Sequence, residues 1–208
     1  MVEDLKHEFT SLVSEYANSN DCYVYYEELA RAYNGNNRHY HNLNHIAHML
    51  NLLNDVEAYV FDLDVLKLTI WYHDVVYSSR KNDNEEKSAE LAKNRLNSIN
   101  FDGNRVKIIQ NLIISTKKHE VILTENDDNA FLLDIDLSIL GSDWETYLEY
   151  SKKIRKEYAI YPNFMYKKGR KKVLSHFLER EHLYFTNYFR NKLENQAQEN
   201  LKKELNML

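Results

Sequence analysis

The sequence predicts an all-α protein, and three observations carry that prediction. Four glycines and one proline in 208 residues are too few for the turns of a many-stranded sheet. Leu, Glu, Lys and Asn abound, a composition that favours helices. Apolar residues recur at helical spacing through most of the chain. The sixteen tyrosines fit as packing residues with a polar tip, lining helix interfaces or a pocket. The length suits one domain with a sizeable core, so the expectation is a single multi-helix bundle over residues 1–208. Its core should span about residues 30–158, with helices 159–208 packed on it.

Leu5, Phe9, Leu12, Val13 and Tyr16 fall on one helical face, and Cys22, Tyr25, Tyr26, Leu29 and Tyr33 repeat the pattern. Asn34-Gly35-Asn36-Asn37 is a turn, after which Ile46, Met49, Leu50 and Leu53 mark a third helix, with His41, His45 and His48 on its first turns. Residues 63–76 are apolar on nearly every side, as in a central helix surrounded by others, and His73 and Asp74 sit near its end. Asp83 with Glu86 predicts a capping box for a helix running to about Asn97. Asn104 is the expected cap of the next helix, which ends near His119. Residues 129–141 read as a short apolar helix holding two carboxylates and closed by Gly141. Ser142 with Glu145 predicts a second capping box, followed by the stripe Trp144, Tyr147, Leu148, Ser151, Ile154 and Tyr158. Val173 to Phe189 and Leu193 to Leu208 are expected to be helical, and Val121-Ile122-Leu123 is the one β-prone run.

The net charge of −5 gives no global pull toward nucleic acid or an anionic membrane, although it leaves room for local patches. A lone Cys22 cannot form an internal disulfide, and the charged opening does not resemble a secretory signal, so a cytoplasmic location is expected. No apolar run reaches spanning length.

Chemistry concentrates between residues 38 and 74. Five of the nine histidines (His39, His41, His45, His48 and His73) lie there, and Asp74 follows the last. Neutral imidazoles and carboxylates together suit a divalent first-row metal, being softer than an all-oxygen cage and harder than a thiolate site. A His-Asp pair alone has little specificity. The order is more informative: Arg38-x-x-His41 before a helix, His73-Asp74 after an apolar one, and Asp134-x-Asp136 in a third buried run.

That order resembles the HD superfamily of metal-dependent phosphohydrolases. The strings Tyr40-His41-Asn42-Leu43-x-His45-Ile46, Trp71-Tyr72-His73-Asp74, Asn84-Glu85-x-x-Ser88-Ala89, Thr116-x-x-His119, Asp134 to Gly141 and Gly169-Arg170 are similar to a small bacterial branch of it, over roughly residues 30 to 205. The resemblance implies an HD-type helical fold with His41, His73, Asp74 and Asp136 as ligands of one divalent ion (Mn, Fe, Mg, Co or Ni). Adjacent helical residues point about 100° apart, so His73 and Asp74 could bracket an ion beside their helix. Asp134 competes with Asp136 for the last position, and Asp136 is preferred because the carboxylate just before Leu-Ser-Ile-Leu matches the superfamily's pattern.

Neighbouring residues extend the expected site. Asp74 and Glu85 are the catalytic candidates, Glu85 because a carboxyl with a raised pKa could protonate a leaving group or orient water. His45 could be a ligand, a donor behind the ligands or a phosphate contact, and His119 a substrate contact. The basic run 166–172 precedes an expected helix, where a bound anion would relieve opposition to the helix dipole. Arg155, Lys168 and Arg170 are therefore candidates to grip a substrate phosphate. The implied activity is hydrolysis of a phosphate ester of a small metabolite or nucleotide. Alternatives are a di-iron oxygenase on the same fold or a non-catalytic ligand-binding protein. The expected partners are a small phosphorylated substrate, with no long nucleic acid and no membrane, in a monomer or modest homodimer that would use Tyr184, Tyr188 and Phe189. The stripe Leu193, Ala197, Leu201 and Leu205 should dock the last helix on its own chain.

Overall fold

A computed structural model of the chain describes residues 2–208; Met1, where the expected domain begins, lies outside them. Ten α-helices and two short 3-10 helices make up the regular structure of the described residues, with no strand among them. The all-α class is as the composition predicts. The β-prone run 121–123 is held in a loop because Asn129 Oδ1 accepts from the backbone of Ile122 (2.8 Å) and Leu123 (3.1 Å). The chain forms two compact units, the first ending at Leu132 and the second spanning Leu133–Leu208.

The first unit is built on α4 (Leu63–Tyr72), the helix whose apolar residues face every direction. Seven of its ten residues are buried, from Val65 to Tyr72, and α3 (Leu43–Val56), α5 (Asn84–Ser98) and α6 (Gly103–Ser115) all pack on it. Asp62 caps α4 by accepting from Val65 N–H. The guanidinium of Arg105 on α6 closes on the same carboxylate at 2.6 and 2.8 Å. Helices α1 (Val2–Ser14) and α2 (Ser19–Tyr33) pack on each other, and Phe9 and Tyr26 set their rings edge-on to Trp71 of α4.

Several helix ends differ from expectation. Helix α4 stops at Tyr72, so His73 is its C-cap and Asp74 lies in the following turn. Likewise α3 begins at Leu43 with Asn42 as cap, which leaves His41 in the turn before it. The Asp83/Glu86 capping box does not form, because Asp83 pairs with Lys87 (2.7 Å) and Glu86 with Lys117. Asp102, not Asn104, caps α6, and Asp143, not Ser142, caps α8 (Trp144–Glu157). In each case the carboxylate belongs to the residue just before the helix and accepts from N–H groups of its first turn.

Helix α7 (Asp128–Asp136) crosses the boundary and leads into a 3-10 turn, Leu137–Gly141. In the second unit that turn packs against α8 and α10 (Asn187–Met207). Gly141 does not adopt a left-handed backbone; it is glycine because a Cβ there would stand 2.5 Å from Leu193 Cβ. Helix α9 is Asn163–Leu178, starting ten residues before the expected Val173, and non-helical chain follows it to Thr186. Two carboxylates interrupt the helix there. Glu194 accepts from the N–H groups of Leu183 and Tyr184, and Asp134 from those of Phe185 and Thr186 and from the Thr186 hydroxyl. Helix α10 docks on its own unit, burying Phe189, Ala197, Leu201 and Glu204. Tyr184 and Phe189, expected on an exposed aromatic face, are in the core.

Asp134 is fully buried, and desolvation outweighs its three hydrogen bonds to push the carboxyl up to about 6 from an ordinary 3.8. A carboxyl whose pKa rises on folding stabilises the protein fully below the unfolded value and loses that contribution as pH rises through the folded one. Unfolding free energy should therefore fall between about pH 4 and pH 6, by up to about 3 kcal/mol from this group. Asp134→Asn should flatten that slope, which urea unfolding across the pH window would measure.

Candidate metal centre

One residue fastens the turns that carry the expected ligands. Arg38 donates from Nη1 to the backbone carbonyls of Asp74 (2.6 Å) and His41 (3.1 Å), and from Nη2 to that of Val75 (2.7 Å). Its guanidinium lies over the rings of Tyr33 (5.0 Å) and Tyr77 (5.4 Å). Tyr33 in turn donates its hydroxyl to Trp71 O, one of the carbonyls left over where α4 ends. Two loops distant in sequence are thus joined through their main chains. Their side chains then converge.

His73 Nε2 lies 3.3 Å and His41 Nε2 3.9 Å from Asp74 Oδ2. His73 Nδ1 is 2.9 Å from the Ile70 carbonyl, a contact that places the ring proton on Nδ1 and leaves the lone pair on Nε2. That is the tautomer a metal ligand requires. His45, on the first turn of α3, is buried, with its ring 5.4 Å from that of His73 and 5.9 Å from that of His41. Tyr40 and Tyr77 cover the imidazoles, at 4.9 Å from His45 and 4.4 Å from His41. His45 and His73 each offer a ring nitrogen, and those two atoms lie within 4.8 Å of one another. Asp136 is the last residue of α7, whose first turn is tied by Asp128 to the backbone of Phe61 and Asp62 and by Asn129 to Ser115. The donor set of imidazoles and carboxylates suits a divalent cation of intermediate softness.

The segment after Asp74 is clamped to α5. Ser88 Oγ accepts from Val76 N–H, and Asn84 receives Ser78 N–H on Oδ1 while donating from Nδ2 to Ser78 O. These are the Asn and Ser of the Asn84-Glu85-x-x-Ser88 string, and the clamp holds Glu85 between them. Burial, together with the negative charge of Asp74, lifts the Glu85 carboxyl above its usual range. Lys117 bonds Asn82 O and Glu86, and its charge also acts on Glu85.

The remaining expected contacts have other surroundings. His119 follows α6 in a turn where its backbone is left-handed, φ 50°. Lys168 is exposed on α9. Arg170 is buried, and its guanidinium forks onto Glu204 at 2.8 Å for both bonds, with Tyr147 also donating to that carboxylate. Arg155 donates to the carbonyls of Tyr158 (2.8 Å) and Tyr161 (3.1 Å) and to Asn163 Oδ1. The basic run lies inside α9 rather than before a helix, so the helix-dipole reason for an anion there is lost. Sequence reasoning did not assign Arg38, Tyr40 or Tyr77 to the site. The Arg38-x-x-His41 spacing was visible, but the carbonyls that Arg38 meets at Asp74 and Val75 are not encoded locally.

Comparison with protein-family models, curated proteins and solved structures finds no match to this chain.

Arg38 should be a positioning residue for the whole cluster. Arg38→Ala is expected to cost about 2–4 kcal/mol by leaving three carbonyls without their charged donor. Metal affinity should fall about 10–100-fold, as for loss of a group that orients ligands. Arg38→Lys should recover part of the stability and less of the affinity, because an ammonium cannot reproduce the fork. Urea unfolding and metal titration of the two variants check both.

Proposed function

We propose that the chain is a metal-dependent phosphohydrolase of the HD type, acting on a phosphate ester of a small metabolite or nucleotide. The observation that supports it most is the convergence of His41, His45, His73 and Asp74, with the His73 ring held in the ligand tautomer by Ile70 O. In this reading His73 and Asp74 would hold one divalent ion together with His41, His45 or both, and the resemblance to the HD superfamily adds Asp136. When bound, such an ion would supply Lewis acidity toward a phosphoryl oxygen and toward water.

The chain's own groups have distinct tasks. Arg38 keeps the His41 and Asp74 turns in register, Tyr40 and Tyr77 limit water around the imidazoles, and His45 and His73 supply a buried floor. Glu85, whose carboxyl burial lifts above its usual range, is the candidate proton donor to the leaving oxygen. Lys117, bonded to Glu86 and Asn82 O, places a positive charge that acts on that carboxyl. Arg155 and Arg170 have no part in it, since their guanidinium groups are engaged within the second unit.

A screen of phosphomonoesters, phosphodiesters and nucleotides with added Mn, Fe, Mg, Co or Ni tests the activity directly. Asp74→Ala should reduce bound metal to below about a tenth of wild type and abolish turnover while the helical circular dichroism persists. Asp136→Asn should act similarly, whereas Asp134→Asn should keep its metal. Wild-type metal content in Asp74→Ala would remove the basis of this reading.

The Glu85 role has its own test. A general acid works only while protonated, so kcat/KM should decline as pH rises through its raised pKa. Glu85→Gln should lower kcat by about 10²–10⁴-fold, leave metal content unchanged and remove that alkaline limb. A pH–rate profile that keeps the limb in Glu85→Gln would assign it to another group.

A further inference from the structure

The corner between α8 and α9 departs from the charge balance of the rest of the chain. From Tyr150 to Leu178 there are nine Lys and Arg against one acid, Glu157, which is buried, although the whole chain carries −5. Arg155 and Arg170 are committed to the contacts described above. The cations left facing solvent are therefore all lysines: Lys153 and Lys156 at the end of α8, and Lys167, Lys168, Lys171 and Lys172 on α9. Lys152 is paired with Glu149.

Three large apolar side chains stand out of the same corner. Ile160 is 57 % exposed, Phe164 73 % and Met165 49 %. They are not on a loose loop. Arg155 gathers Tyr158 O, Tyr161 O and Asn163 Oδ1 onto one guanidinium, which lies 4.7 Å over the Tyr166 ring. A charged side chain thus fixes the turn from within while the apolar tip is left outside. On α9, Phe164, Lys168 and Lys171 are three or four residues apart and share one exposed stripe, while Arg170 and Leu174 are buried.

We propose that this corner docks on the surface of an anionic phospholipid bilayer, with Ile160, Phe164 and Met165 entering the headgroup boundary and the lysines meeting the lipid phosphates. An apolar tip ringed by lysine is the arrangement that interfacial binding needs: shallow insertion plus attraction to negative lipid. The residue types favour lipid over other polyanions. Two of the three apolar tips, Ile160 and Met165, offer no planar face on which a base could stack, which leaves Phe164 alone for that role. Lysine is depleted in protein interfaces, whereas as a flexible point charge it suits a fluid anionic surface. No described helix is long and apolar enough to cross a membrane, and surface docking requires none.

The test is co-sedimentation of the full chain with vesicles of phosphatidylcholine, alone or with about one third phosphatidylserine. Wild type should bind the serine-containing vesicles at low salt, release from them as salt rises, and ignore pure phosphatidylcholine. Ile160→Ser with Phe164→Ser, and separately Lys168→Glu with Lys171→Glu, should each weaken binding by about tenfold or more. All four positions are exposed, so unchanged thermal unfolding would confirm that the variants fold. Failure of wild type to bind at low salt overturns the proposal, as does undiminished binding by the serine variant. Tighter binding to polyuridylate or polyglutamate than to the vesicles would assign the patch to a soluble polyanion and overturn it equally.

Discussion

The centre depends on a helix that ends early. Helix α4 stops at Tyr72, and the chain then has to turn inside a crowded region with carbonyls that lack helical partners. Arg38 and Tyr33 supply the missing donors, Arg38 to Asp74 and Val75 and Tyr33 to Trp71. Because the same guanidinium also holds His41 O, ending the helix and assembling the ligands are one event. Had α4 continued through Val76, His73 and Asp74 would have been fixed to its cylinder about 100° apart. In the turn, His73 and His41 both approach Asp74 Oδ2.

The second unit solves the same problem with anions in place of a cation. Its break in helicity at 179–186 is held by Glu194 and Asp134, each accepting consecutive backbone N–H groups, and Thr186 then caps α10. Glu204 takes Arg170 and Tyr147 in the interior. A buried charge of this kind is tolerated only when fully hydrogen-bonded, so these residues are committed to the fold and have little left for a ligand. The same reasoning separates Asp134 from Asp136. Two residues apart on one short helix, they point to different sides, and Asp134 is consumed by three donors in the second unit.

Much of the helical content was legible because it rests on local periodicity: the all-round apolar run at α4, the faces of α1 and α2, and the last helix docked through Ala197 and Leu201. Helix ends were harder to read. Asp83 and Glu86 have the right spacing for a capping box, yet Lys87 and Lys117 outbid the backbone for both carboxylates. The start of α9 was missed because its first turns are lysine-rich and carry no apolar stripe to betray them. At the site, the histidines and Asp74 stood out by type and crowding. Arg38 did not, since its partners are 36 and 37 residues away and are main-chain atoms, which no side-chain pattern records.

Exposure within the first unit's share of the cluster is graded, and the grading bears on chemistry. His73 is almost wholly enclosed and His45 nearly so, while the side chains of Asp74 and His41 retain 15 % and 20 % of their accessible surface. The Ile70 carbonyl at His73 Nδ1 leaves that ring's Nε2 facing the cluster. The accessible edge lies at His41 and Asp74, and burial together with the charge of Asp74 raises the half-buried Glu85. An enclosed pair of rings, His45 and His73, and a more open pair of side chains, His41 and Asp74, separate two demands that conflict at a single position. Holding a cation requires preorganised, deprotonated donors, whereas moving a proton requires a group that can still titrate.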